Sequence, residues 1–471
     1  MSVSTTIAMS IGGRPHGGTG LAPVENPALG RTFAHAPLCT PDQLDEAVAA
    51  ARSAGHDWAA ATEDVRRGHL LACGKALADR VDEVAGLLTR EQGKPLGDAR
   101  AEVQLAAGWF ADTAALTLEP ESLVADEASR IDMARVPHGV VAAIAPSNFP
   151  IILSMCKVAP ALLAGNTVVL KPSPQTPLST LRVGEILQDC LPPGVLNVVS
   201  GDNDLGAALC THPGVRMISF TGSVETGRAI AQQAAGDFRR VVLELGGNDP
   251  AIVLRGSDPA SVARSLFFAA MANNGQFCAA VKRIYVPRES GPAFVDALAD
   301  LAGSVTVGDG MDPATDFGPL ISRAQRDRVA GLVDAAVAAG ARVVAGGQPL
   351  DGEGHFYRPT VVTGLPGGTA LEQEEQFGPA IPVIAYDDVS EAVDRANGTR
   401  FGLGASLWGD PETARSLAGS LDCGTVWTDT HGDLRHNVPF GGARSSGVGV
   451  EYGHWGLLEY TRIKVLNRAT R

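Results

Sequence analysis

Three polar side chains, set in apolar or turn-forming stretches, are candidates for chemistry. Cys278 lies in "ANNGQFCAAVKRIYV", residues 272–286, after Gly-Gln-Phe and before a strand-like run. Cysteine is among the most buried residue types, so a lone thiol reads first as a small core side chain. At its unperturbed pKa only about 3% of a thiol is ionised at pH 7, and a nucleophilic cysteine therefore needs a base, a cation or a helix N-terminus within reach. Glu244 in "VVLELGGNDP" is such a base, a carboxylate in an apolar strand that ends at Gly-Gly. An isolated buried carboxylate is costly, so Glu244 must be paired, protonated or functional, and a structural ion pair is the simplest of these. The two residues are 34 positions apart. No single helix or strand can join them, and they meet only in a cleft between domains.

Asn148 sits in "APSNFP", residues 145–150, between two prolines and directly after a strand-like run. A stiff turn explains such an asparagine, but its amide could also donate to a developing oxyanion. In "SFTGSVETGR", residues 219–228, Gly222 follows a strand, Ser223 adds a hydroxyl and Gly227 falls in the next helix. A strand, a glycine turn and a helix N-terminus can hold a phosphate through backbone N–H groups. The spacing is G-x-x-x-x-G and lacks the G-x-G-x-x-G fingerprint.

These residues need elements to carry them. From residue 139 the chain alternates "GVVAAIA", "TVVLKP", "GVLNVVSG", "VRMISFTGS" and "RRVVLELGG" with helical stretches of about ten residues. Short, almost wholly apolar strands between helices predict a parallel sheet covered on both faces, with a nucleotide site at its carboxyl edge. A second α/β region follows "LELGGNDPAIVL" and includes "SEAVDRANG", where Ser390 can cap the helix start and Gly398 its end. The N-terminal third predicts a helix at "TPDQLDEAVAAARSAGHDW" and one long amphipathic pattern at "VRRGHLLACGKALADRVDEVAGLLTREQG". The segments "LTLEPESLVADEASRIDMARVP" and "EYTRIKVLNRATR" read as strands leaving the main body.

At 471 residues the chain should form two or three domains. A net charge of −14 disfavours nucleic acid and anionic membrane surfaces. No secretory signal is recognisable at the start and no run approaches a membrane span, so a soluble protein is expected. The seven cysteines include no C-x-x-C, which predicts no metal site, no disulfide framework and a reducing, cytoplasmic home.

In this order and at these separations, "APSNFP", "GNTVVLKPS", "SFTGSVETG", "LELGGNDP", "NNGQFC", "EEQFGP" and "VPFGGARSSGVG" resemble the aldehyde dehydrogenase superfamily, from about residue 20 to the C-terminus. The resemblance implies a Rossmann-like cofactor domain (1–117 and 137–245), a second α/β catalytic domain (246–445) and a small β oligomerisation element (118–136 and 460–471), assembled as a homodimer or homotetramer. It implies that Cys278 attacks an aldehyde to give a thiohemiacetal and then a thioester. Asn148, with the backbone N–H of Cys278, matches the oxyanion hole, Glu244 the base that activates the hydrolytic water, and Lys157 and Glu451 a proton relay. For NAD or NADP, it assigns Lys171 to the adenosine ribose and Ser223, flanked by Gly222 and Gly227, to the pyrophosphate. Glu375 and Phe377 match the nicotinamide-side contacts, with Ser147 and Leu245 also at the cofactor.

Pro174 stands where many relatives carry a glutamate that binds the ribose hydroxyls and repels a 2′-phosphate, which leaves NAD favoured and NADP open. Ser147 replaces a tryptophan common in the family and predicts a wider tunnel, in which Phe277 either restores an aromatic wall or simply packs. Arg435 and His436 could lie at the tunnel mouth, where an arginine would bind a substrate carboxylate, although a solvated loop arginine is the simpler reading. A coenzyme A-acylating enzyme is the alternative chemistry and a non-catalytic, cofactor-binding member the remaining one. Glu244 argues against the first, and Cys278, Glu244 and Asn148 together against the second.

Overall fold

The computed structural model describes residues 7–469; residues 1–6 and 470–471, the ends of two expected domains, lie outside them. Among the described residues, eight strands form the first sheet, in the order Gly447–Val448, Arg240–Glu244, Val215–Thr221, Val140–Ile144, Thr167–Lys171, Leu196–Val198, Met9–Ile11 and Arg14–His16. The middle five run parallel, as their unbroken apolar composition predicts. In chain order they read 3-2-1-4-5, so the connection reverses between Val140–Ile144 and Val215–Thr221. A crevice opens beyond the carboxyl ends of strands at such a switch point. Ser147 and Asn148 follow the first of these strands, and Gly222 and Ser223 follow the second.

The second sheet has seven strands in the order Arg342–Ala345, Thr360–Thr363, Ala380–Tyr386, Val281–Pro287, Asp249–Val253, Gly404–Trp408 and Thr425–Thr428. Every neighbouring pair is parallel except the first. Separate apolar clusters pack against each sheet, and Cys278 joins a small cluster with Phe277, Leu403, Trp427 and Phe440. A three-stranded antiparallel sheet of Glu121–Ala125, Ser129–Pro137 and Thr461–Ala469 stands apart from both.

Two local expectations are corrected. The long amphipathic stretch is two helices, Glu63–Ala78 and Val81–Gln92, broken at Asp79 and Arg80. Both bury their apolar sides against one core, so the periodicity runs on through a break in the backbone. The helix Val389–Asn397 is capped by Asp388, whose carboxylate accepts the Ser390 N–H, while Gly398 does end it.

Candidate active site

A cleft of about 1080 Å³ runs along the carboxyl edge of the first sheet towards the second. Lys171, Pro174, Gly222, Ser223, Glu375, Phe377 and Cys278 line it, as do Ser147, Asn148 and Leu245. Lys171 is buried and donates to the Pro172 carbonyl at 3.3 Å, and burial lowers its pKa to about 8. Ser223 caps the helix Val224–Ala235 by accepting the Thr226 N–H at 3.2 Å. Val224 and Glu225 of that first turn line the cleft, and the Glu225 carboxylate accepts its own backbone N–H.

The two glycines do different work. The Gly222 N–H is given to the Glu244 carbonyl at 3.1 Å, and an added Cβ would fall 2.4 Å from the Phe220 ring. Gly222 therefore makes room for the turn and ties it to the strand of the candidate base. Gly227 does not line the cleft. Its N–H bonds to Ser223 inside the helix, and a Cβ there would sit 2.4 Å from the Leu245 side chain, so the absence of a side chain lets the helix pack against Leu245.

Beyond the helix, Glu375 accepts the Gly247 N–H at 3.2 Å, and burial pushes its carboxyl up to about 7 against the opposing charge of Lys282. Phe377 has φ +47°, a conformation costly for an aromatic residue, which turns it into the cleft. Lys282, bonded to the Gly275 carbonyl at 2.7 Å, lies 5.4 Å from its ring centroid.

Cys278 is half-buried at the inner end of the cleft. Burial, reinforced by the charges of Glu375, Asp249 and Glu244 and opposed by Lys282, pushes its thiol up to about 12. Glu244 is 5% exposed, and neither carboxylate oxygen has a hydrogen-bond partner. Burial, then the charge of Glu451, holds it well above the ordinary carboxylate range, with Lys157 opposing. Glu244 lies just behind the cleft lining, next to Leu245, and Lys157 and Glu451 lie outside it too, as a buried pair 2.5 Å apart. Ser219 links Glu451 to the Tyr460 hydroxyl.

Asn148 donates one amide N–H to the Gln276 carbonyl at 3.0 Å, which identifies the nitrogen as the atom facing that carbonyl. The Cys278 N–H donates to no backbone carbonyl among the described residues. The carbonyl of Asn148 accepts from Lys94 at 2.8 Å and from Asn273 at 3.0 Å. Sequence reading missed these two residues and Glu102, the partner of Lys94. Signals existed: Glu102 shares helical spacing with buried Ala99, Val103 and Ala106, and "ANNG" is a turn signature whose two asparagines adopt φ +51° and +55°.

On the far side of Cys278, Tyr452 stacks on Phe440 at 5.9 Å and meets Trp109 edge-on at 4.8 Å. His436 lies against Trp109, 3.7 Å from Asp112 at the half-exposed rim. Phe277 packs edge-on against Phe149 at 5.4 Å. Arg435 is exposed and ion-paired with Asp433 on its own loop.

The aldehyde dehydrogenase family model matches residues 16–466. A 3,6-anhydro-alpha-L-galactose dehydrogenase from Streptomyces coelicolor is 39% identical, covering 95% of this chain and 93% of its own. The NAD+ complex of an aldehyde dehydrogenase from Bacillus cereus superposes with a TM-score of 0.95 at 33% identity, over all of this chain and 98% of that one. An NADP-dependent enzyme from E. coli superposes with a TM-score of 0.96 at 33% identity, over 98% of each chain.

Proposed function

The chain belongs to the aldehyde dehydrogenase family, and we propose that it oxidises its aldehyde to the carboxylic acid through a thiohemiacetal and then a thioester on Cys278. The observation that carries this reading is Glu244: a buried carboxylate with two unpartnered oxygens, within electrostatic reach of a half-buried thiol. A buried polar atom without a partner costs stability, and next to a residue that lines a cleft, as Leu245 does here, it marks a group kept for a ligand or a proton.

In this mechanism the Cys278 thiol passes its proton to water in the cleft, and the thiolate attacks the carbonyl carbon. The resulting oxyanion receives the second amide N–H of Asn148 and the backbone N–H of Cys278. The nicotinamide cofactor, when bound, supplies the hydride acceptor. Lys171, the helix N-terminus behind Ser223, and Glu375 would hold it; an under-partnered buried ammonium, a helix N-terminus lining the cleft and a buried carboxyl suit ribose, pyrophosphate and ribose respectively. Collapse of the alkoxide leaves a thioester on Cys278. Glu244 then takes a proton from the attacking water; its raised pKa makes it a stronger base once ionised. Lys157 and Glu451 set the charge against which that proton moves.

Pro174 borders the cleft beside Lys171 and presents no carboxylate to repel a 2′-phosphate, so NADP is tolerated beside NAD, the favoured cofactor. This is in keeping with similarity to both an NAD+ complex and an NADP-dependent enzyme. The outer strands Glu121–Ala125 and Thr461–Ala469 leave unpaired edges, with Leu123, Ile463 and Val465 exposed, which supports a homodimer or a dimer of dimers through this element.

The test is aldehyde oxidation with each cofactor and no coenzyme A. Acid should form, a covalent adduct should appear on Cys278, and Cys278→Ser should abolish both. An absolute need for coenzyme A would replace hydrolysis by acyl transfer.

A further inference from the structure

The oxyanion donors of the proposed mechanism sit on two loops from different parts of the chain, Asn148 after a strand of the first sheet and Cys278 before a strand of the second. Two loops packed side by side place their N–H groups only as well as they are fastened together. The fastening is visible. The Asn273 side-chain amide donates to the carbonyl of Asn148 at 3.0 Å and approaches that of Gln276 at 3.4 Å, while Asn148 donates to the same Gln276 carbonyl at 3.0 Å. Asn273 thus touches both loops at once. Its left-handed backbone, φ +51°, aims the amide between them.

Lys94 completes the arrangement from outside. Its ammonium donates to the Asn148 carbonyl at 2.8 Å, pairs with Glu102 at 2.5 Å and lies 3.8 Å from the centroid of the Phe149 ring. The other Glu102 oxygen accepts the N–H groups of Ile151 and Ile152, at 2.9 and 3.3 Å, in the first turn of the helix Pro150–Leu163. With Lys94 and Asn273 both donating, the Asn148 carbonyl has both lone pairs occupied, so the peptide plane after Asn148 is fixed. That plane sets the direction of the Asn148 side chain. Gln276 is itself held, accepting the Ile321 N–H at 2.8 Å.

We propose that Asn273, together with Lys94, is a positioning residue for the oxyanion hole: it clamps the Asn148 turn to the Cys278 loop so that their N–H groups converge on one oxygen. The inference rests on the reading of Asn148 as an oxyanion donor. Neither side chain touches substrate, and both act through Asn148.

The test is a double-mutant cycle with Asn273→Gly and Asn148→Ala in the full-length enzyme. Glycine accepts φ +51° without strain, so Asn273→Gly removes the amide and spares the turn. It should lower kcat for aldehyde by about ten- to a hundredfold, the scale of a small misplacement of reacting groups. The dissociation constants of NAD and NADP should stay within twofold. In the Asn148→Ala background Asn273→Gly should then cost less than threefold. Equal losses in both backgrounds, or weakening of cofactor binding in proportion to kcat, would overturn the proposal. Full activity of Asn148→Ala would instead refute the oxyanion reading, separately from the effect of Asn273→Gly in the wild type. Lys94→Met with Glu102→Gln, which removes the ammonium without stranding a buried charge, supplies the second arm. It should reproduce the kcat loss and the same non-additivity with Asn148→Ala, and normal kcat in a folded protein would count against the proposal.

Discussion

Two buried lysine–glutamate pairs engage the helix Pro150–Leu163, one at its first turn and one through its own Lys157, and they are built to opposite ends. Lys94–Glu102 and Lys157–Glu451 have the same N–O separation, 2.5 Å, and almost no exposure. The first is saturated: its charges also bond the Asn148 carbonyl and the N–H groups of Ile151 and Ile152. The second bonds a serine hydroxyl loosely, at 3.5 Å, and borders Glu244, whose oxygens bond nothing. A saturated network in a low-dielectric interior is rigid, and an under-satisfied one is available to move a proton. The same pair of residue types fixes geometry in one place and biases a titration in the other.

The sharpest break in that comparison is Glu244→Gln. It should cut steady-state turnover about a thousandfold, the middle of the range for loss of a general base. A single burst of reduced cofactor should persist in rapid-mixing measurements, since the thioester still forms. A burst lost along with turnover would place Glu244 before the thioester.

The pairs should next differ when replaced outright. Removing one partner from either, as in Lys94→Met or Lys157→Met, strands a buried charge and should cost about 3–5 kcal/mol in denaturant unfolding. Replacing both partners should separate them. Lys157→Met with Glu451→Leu should come close to wild-type stability. Lys94→Met with Glu102→Leu should stay at least about 2 kcal/mol below it, because the Ile151 and Ile152 N–H groups lose their acceptor.

The titration of Glu244 sharpens the contrast further. Burial raises its pKa first, Glu451 adds to the rise and Lys157 opposes it, and activity needs the ionised form, so turnover should increase with pH through that pKa. Glu451→Gln should move this rise to lower pH and Lys157→Met to higher pH. Displacements in one common direction would disconnect the pair from Glu244. The Lys94 variant should lower activity without moving the profile.

Smaller effects belong to the rim of the site. Pro174→Glu should reduce kcat/KM for NADP about tenfold relative to NAD by placing a carboxylate near a 2′-phosphate; an unchanged ratio would leave cofactor choice to other residues. Arg435→Ala should change KM for carboxylated and neutral aldehydes alike and by less than twofold, because the side chain is exposed and spent on Asp433. A loss confined to carboxylated aldehydes would make Arg435 a substrate contact.

Much of this was legible in the chain. Uninterrupted apolar runs such as "VVAAI" and "TVVLK" belong to strands covered on both faces, which is why the parallel sheet could be read from composition. Cys278, Glu244 and Asn148 stand out because a polar side chain in an apolar strand or a proline-bounded turn demands a reason. The packing of Gly227 against Leu245 was not legible, because a glycine needed for helix packing looks the same in sequence as one needed for a phosphate. The break at Asp79 was hidden because periodicity records which face is buried and is blind to a two-residue change in backbone direction.

By itself, then, the sequence determined the classes of element, the family and the residues able to do chemistry, since propensity, periodicity and motif spacing are properties of short stretches. Only the tertiary structure decided which groups meet: the 3-2-1-4-5 strand order, the unpartnered oxygens of Glu244, and the clamp of Asn273 and Lys94 on the carbonyl of Asn148. The physical reason is that each of these depends on whether a buried polar atom finds a partner. That partner comes from as far as 125 positions away in the case of Asn273 and the Asn148 carbonyl, a distance over which no local pattern carries information.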